Sequence, residues 1–225
     1  MAQGTSSDAK LVTTDAGRYI LRRIRDDEQG RTEYEISRRL YPLDIAPEVL
    51  IAKEGLPYVQ LDDACYNLQR FVEHEHLSDG ECWNYAEMGR TLSLFEREMT
   101  DIRSLTGQRD RFDLQPMWDE ASASHAGDAV IRLLEEPVER CLGYAEKMSG
   151  YIHGDLGAWN LLLRKGRIYI IDFGEVRLGD SHFDAAALVS TAPGHASVEE
   201  AVNQLEDFCR GYEANAEPPL PLYPH

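Results

Sequence analysis

Two short runs with apolar Leu11-Val12 and Tyr19-Ile20-Leu21, in "AKLVTTDAGRYILRRI" over residues 9–24, flank the turn Asp15-Ala16-Gly17, which predicts two strands of a hairpin. Residues 30–41, "GRTEYEISRRLY", carry apolar Tyr34, Ile36 and Leu40 and predict a helix. "PEVLIAK", "PYVQL" and "CYNLQRFV" are short strand-like runs. In "WNYAEMGRTLSLFEREMTDIRSL" the positions Tyr85, Met88, Leu92 and Phe95 are spaced three, four and three apart, one face of a helix turned to a core. "DAVIRLLEEPVERCLGYAEKM" predicts a second helix, kinked or restarted at Pro137. "NLLLRKGRIYIID" predicts a hairpin turning at Lys165-Gly166, and "VEEAVNQLEDFCRGY" a last helix before the proline-rich tail "EPPLPLYPH". The pattern is α+β: a small sheet with one helix up to about Glu73, then a mostly helical remainder.

With 225 residues, 43% of them hydrophobic, the chain can bury one large core or two small lobes. The net charge of −17 argues against binding a nucleic-acid backbone, which needs Lys and Arg to replace counterions. It is compatible with a cationic substrate. Cys65, Cys82, Cys141 and Cys209 are far apart and form no C-x-x-C pair, so neither zinc nor a disulfide framework is signalled. The N-terminus "MAQGTSSDAK" has no basic or apolar leader pattern, and no apolar run is long enough to span a membrane. A reducing cytoplasm is the expected location.

One stretch does not fit a plain core. "YIHGDLGAWNLLL", residues 151–163, sets His153-Gly154-Asp155 and then Asn160 between apolar runs, and the following hairpin ends in "IDFGE" with Asp172. An unpaired buried carboxylate costs several kcal/mol, so these groups must be paired, hydrated or on a metal. Asp155 falls in a loop before the hairpin, Asn160 starts its first strand and Asp172 closes its second, so all three can converge. Phosphoryl transfer needs such a set: one carboxylate for the proton of the attacking hydroxyl, and hard oxygens for Mg²⁺ on nucleotide phosphates.

Residues 151–188 closely resemble the kinase catalytic loop and metal-binding motif. Gly154, where protein kinases usually carry Arg, and "GDSHFDAAAL" are similar to the aminoglycoside phosphotransferase and choline kinase branch of the protein-kinase-like superfamily. The resemblance implies a two-lobed fold, with a nucleotide-binding N-lobe over 1–73, shortened at its start, and a helical C-lobe over 74–225. It implies ATP and Mg²⁺ as cofactors, Asp155 as catalytic base, Asn160 and Asp172 as metal ligands, and His153 as support of the loop. Asp180 and Asp184 read as caps of the helix that follows.

By the same resemblance Arg22 in "YILRRI" takes the place of the phosphate-pairing lysine, with Glu33 as its helix partner and Glu35 as the alternative. "QGTSSD" supplies Gly4, Ser6 and Ser7 to a phosphate-covering loop, and "RFVEHEH" forms the hinge to the base, with Phe71 and Glu73. His74 and His76 read as solvated. The commonest acceptor of that branch is a small-molecule hydroxyl. A peptide Ser/Thr hydroxyl, with a partner protein completing the substrate site, and a non-catalytic nucleotide-binding role stay open.

Overall fold

The computed structural model describes residues 9–77, 82–100, 102, 105, 113–143, 150–192 and 197–215. Strands β1 (Ala9–Thr14) and β2 (Gly17–Ile24) form the expected hairpin. Helix α1 (Asp27–Leu40) follows, then β3 (Val59–Leu61) and β4 (Ala64–Arg70), giving an antiparallel sheet of order β1-β2-β4-β3.

Helix α1 starts three residues before the apolar period does. Asp26 caps it, its side chain accepting from Gln29 N at 2.8 Å, and Gln29 Oε1 accepts from Arg25 N at 2.9 Å. This is a capping arrangement, reinforced by Asp27 and Glu28 at the positive end of the helix dipole. Ile36 and Leu40 are fully buried, as a core-facing stripe requires. "PEVLIAK" is not a strand. Val49 makes one isolated bridge to Gln69, and the chain turns at Gly55, whose φ is 81°. Pro47 removes one ladder donor, and β3 already pairs with the first half of β4, so only a short stretch beside residues 68–70 remains for it.

The C-terminal region is mostly helical: α2 (Tyr85–Thr100), α3 (Leu114–Ser124), α4 (Ala129–Leu142), then β5 (Gly150–Ile152), β6 (Leu161–Arg164), β7 (Arg167–Ile170), β8 (Arg177–Gly179), α5 (His182–Thr191) and α6 (Val198–Glu213). Tyr85, Met88, Leu92 and Phe95 are buried as their spacing predicts. Helix α2 packs on α6, where a Cβ on Gly89 would overlap the Phe208 carbonyl and one on Gly211 the Ala86 carbonyl. Two glycines thus let the helix backbones touch.

Helix α3, capped by Asp113, was not foreseen. Helix α4 runs through Pro137 as one helix rather than restarting there. The bond lost to the Leu133 carbonyl falls on a face open to water, Leu133 being 75% exposed. The β6–β7 hairpin turns at Lys165-Gly166 with φ of 50° and 75°, the primed-turn conformation that matches strand twist. Strand β5 pairs with β8 and so brings the chain segments before Asp155 and after Asp172 side by side. One core spans both regions: Ile36, Leu40 and Ile45 join Phe95, Leu156, Ile170 and Phe173. The tail from residue 216 lies outside the described residues.

Candidate active site

The loop after β5 is held from below. His153 is fully buried, its ring 6.2 Å from the Phe95 ring and 5.5 Å from that of Phe173. Its Nε2 bonds the Ile171 carbonyl at 3.0 Å, so Nε2 carries the proton and Nδ1 accepts from Asp155 N–H at 3.4 Å. Asp184 takes the backbone of the same loop: Oδ2 accepts from His153 N at 2.6 Å and Oδ1 from Gly154 N at 3.1 Å. Burial pushes the Asp184 carboxyl above its ordinary range, against the pull of His153, the two N–H groups and Arg177.

Asp184 is therefore not the cap its sequence position suggests. Asp180 does that work, its Oδ1 accepting from His182 N at 3.0 Å. Gly154 has φ 80°, and a Cβ there would overlap the guanidinium of buried Arg177.

Asn160 bonds Asp155 directly and holds Asp172 through the backbone of Ile171. Asn160 closes a short 3-10 turn, Ala158–Asn160, one residue before β6 rather than opening that strand. Its Nδ2 donates to the Asp155 carbonyl at 2.8 Å and to Asp155 Oδ2 at 3.4 Å. Its own carbonyl accepts from Ile171 N at 3.0 Å, which sets Asp172 beside it. Asp172 sits in the left-handed region, φ 66° and ψ 66°, a conformation that Asp tolerates better than most residues and that clusters at functional sites. Among the described residues no donor reaches Asn160 Oδ1 or Asp172 Oδ2. Two hard oxygen acceptors thus remain for a cation such as Mg²⁺. No group of three His, Cys, Asp or Glu that could hold a metal occurs among the described residues.

Arg22, on β2, is buried and joins the two regions. One guanidinium nitrogen bonds Glu33 Oε2 at 3.1 Å and another bonds Asp172 Oδ1. Burial lowers its pKa, but Glu33 and Asp172 more than offset that and hold it above the ordinary value. Glu33 is fully buried and accepts also from Gln29 Nε2 and Asn67 Nδ2, both at 2.7 Å, and from Gln69 Nε2 at 3.4 Å. Glu35, the alternative, pairs with Arg38 at 2.8 Å on an exposed face.

A cavity of about 250 Å³ opens between the regions, lined by apolar Ile20, Phe71, Val72, Leu162 and Ile171 and by charged Arg22, Arg70 and Asp172. His74 also lines it, contrary to a solvated reading, with Nδ1 3.0 Å from the Val72 carbonyl and its ring 5.8 Å from Phe71. His76 stacks edge-on against His74 at 5.2 Å. Glu73 does not line the cavity. Its carboxylate pairs with Arg18, whose guanidinium covers the Phe71 ring at 4.4 Å. Gly4, Ser6 and Ser7 lie outside the described residues.

The phosphotransferase enzyme family matches residues 1–222. The chain belongs to this family. No curated protein sequence matches it. Solved structures match over most of its length. An amicoumacin kinase in complex with AMP-PNP and Ca²⁺ has a TM-score of 0.76 at 12% identity, covering 96% of this chain and 72% of that one. An aminoglycoside phosphotransferase from Alicyclobacillus acidocaldarius has 0.63 at 17%, covering 95% and 73%. A microcompartment-associated aminopropanol kinase has 0.61 at 19%, covering 97% and 78%. At these identities the likeness is one of fold, the kinase-like fold of this phosphotransferase family.

Within the phosphotransferase chain the structure adds Gln29, Asn67, Gln69, Arg177 and Asp184 to the residues foreseen. Gln29 lies one helical turn before Glu33, and Asn67 is the register partner of Arg22 across β2 and β4, so both were readable once Arg22–Glu33 was assumed. Asp184 was marked by the family-like "GDSHFDAAAL" segment but read as a cap, and Arg177 reaches Gly154 through a tertiary contact that no local pattern signals.

Proposed function

We propose that this phosphotransferase moves the γ-phosphate of ATP to a hydroxyl of a small molecule, with Mg²⁺ as its cofactor. The observation that carries the reading is the Asp155–Asn160 bond together with Asp172 bonded to Arg22, the latter two lining the cleft. The walls of Ile20, Leu162 and Ile171 suit the flat faces of a purine, and Phe71 and Val72 would supply the edge where its polar atoms bond. Asn160 Oδ1 and Asp172 would hold Mg²⁺, which supplies neutralisation of phosphate charge.

Arg22, whose two terminal nitrogens bond Glu33 and Asp172, would turn its remaining N–H donors and its charge to the phosphates, in the place where the family resemblance puts a lysine. Asp155, oriented by Asn160 and by the pinned loop, accepts the proton of the attacking hydroxyl. We assign residues 1–73 to the nucleotide lobe and 74–225 to the lobe that carries the catalytic loop. Arg22 in a lysine's place speaks less for a non-catalytic protein now that the same side chain bonds both Glu33 and Asp172. No described helix is long and apolar enough to cross a membrane, and the wide spacing of the four cysteines is compatible with a reducing cytoplasm.

The test is product detection by mass spectrometry after incubation with ATP and a set of candidate alcohols, with and without Mg²⁺. A mass gain of one phosphoryl group on an alcohol, dependent on Mg²⁺, is expected. ATP binding without transfer to any alcohol would leave a binding protein and remove the proposal.

A further inference from the structure

Between Asp155 and Asn160 the catalytic loop displays an indole. Trp159 is 63% exposed, whereas the loop's other large apolar side chains, Leu156 and Leu161, are 0% and 6% exposed. The ring lies against Gly157, where any Cβ would overlap its six-membered part, so the loop keeps a glycine beneath one indole face and leaves the other open. The backbone under it is tied down: Ala158 N donates to Thr191 Oγ1 at 3.0 Å, and that hydroxyl donates to the Ala187 carbonyl on α5 at 2.6 Å. Gly157 N donates to the Asp155 carbonyl at 3.0 Å, closing the loop on itself. Trp159 immediately precedes Asn160, whose Nδ2 donates to Asp155 Oδ2 at 3.4 Å, so the indole is carried by the neighbour of the residue that holds the Asp155 carboxylate. Trp159 is not part of the wall of the nucleotide cleft, which Leu162, Ile171 and Asp172 provide from the other side of Asn160.

We propose that Trp159 is a contact residue for the phosphate acceptor, and that the acceptor is a ring-bearing alcohol whose flat face lies on the indole. This deepens the phosphotransfer reading and rests on it. A solvent-facing aromatic fixed on a rigid loop gives area at little entropic cost, and such a surface favours a ring over a flexible chain. An open-chain alcohol can reach Asp155 but has no face to lay on Trp159. Because the indole contributes binding and no proton transfer, its loss falls on acceptor KM.

The test measures steady-state kinetics at saturating ATP with ring-bearing alcohols (spectinomycin, kanamycin, inositol) and open-chain ones (aminopropanol, glycerol). The best acceptor should be ring-bearing. Trp159→Ala should lower its kcat/KM by about tenfold or more through KM, the scale of one lost aromatic stacking partner. Trp159→Phe should keep most of the activity, and Gly157→Ala, which crowds the indole without removing it, should raise acceptor KM in the same direction. The ATP KM should stay within about twofold throughout. A best acceptor without a ring, or a ring acceptor whose KM is unmoved in Trp159→Ala, overturns this inference while the phosphotransfer reading stands. No transfer to any of these alcohols, with ATP bound, counts against both.

Discussion

Asp184→Ala isolates the support of the catalytic loop from its chemistry. Asp184 is fully buried and touches neither nucleotide cleft nor metal ligands, yet its two oxygens accept the backbone N–H groups of His153 and Gly154 at 2.6 and 3.1 Å. Alanine leaves both donors buried without a partner. Each such loss costs about 1–3 kcal/mol, so the variant should lose about 2–6 kcal/mol of stability. That is a large share of the roughly 5–15 kcal/mol a domain has. Asp184→Asn keeps the shape but turns a donor toward one of the two N–H groups, so it should recover less than half of the loss. Because Asp155 is the next residue, the loop's displacement should appear in kcat more than in the ATP KM. Urea unfolding gives the midpoint shift, and kinetics well below that midpoint gives the split. A midpoint within the equivalent of about 0.5 kcal/mol of wild type, or a loss confined to the ATP KM, would refute this role.

Two further outcomes follow from the buried charges. Arg22→Ala should weaken ATP by more than adenosine, because only ATP carries phosphates, and Arg22→Lys should restore part of the difference; calorimetry showing equal losses for both ligands would remove the phosphate role. Glu96 on α2 bonds Tyr212, and burial pushes its carboxyl up to about 8. The folded state then holds a proton that the unfolded chain releases near the usual carboxylate range, so this contribution is full at acid pH and fades as pH rises through about 8. Glu96→Gln should remove that slope, up to about 1.4 kcal/mol per pH unit, and gain stability relative to wild type from pH 5 to 8; parallel stability curves would contradict it.

Local patterns announced what depends on local chemistry. The Lys165-Gly166 turn and the α2 stripe rest on spacing along the chain and form where it points, while Asn160, expected to open β6, closes the short turn before it. The Arg22–Glu33 pair was legible through the family resemblance, which left Glu35 as an alternative, and the structure pairs Glu33 with Arg22 and Glu35 with Arg38. Helix α1 began early because Asp26 and Gln29 cap it, a signal that apolar spacing does not contain. "PEVLIAK" has the composition of a strand but finds β4 already paired, which is a matter of register. Asp184 looked like a helix cap because a first-turn aspartate usually is one. Its true partners lie some thirty residues upstream, and only the β5–β8 pairing brings them near.

The central claim is that Asp155 takes the proton of an acceptor hydroxyl held beside a metal-bound nucleotide. The direct measurement is single-turnover transfer of labelled γ-phosphate to the acceptor by wild type and Asp155→Asn, with nucleotide affinity measured on the same samples. The account predicts transfer slower by about 10²-fold or more in the variant, with nucleotide affinity close to wild type. Transfer at the wild-type rate in Asp155→Asn would contradict it.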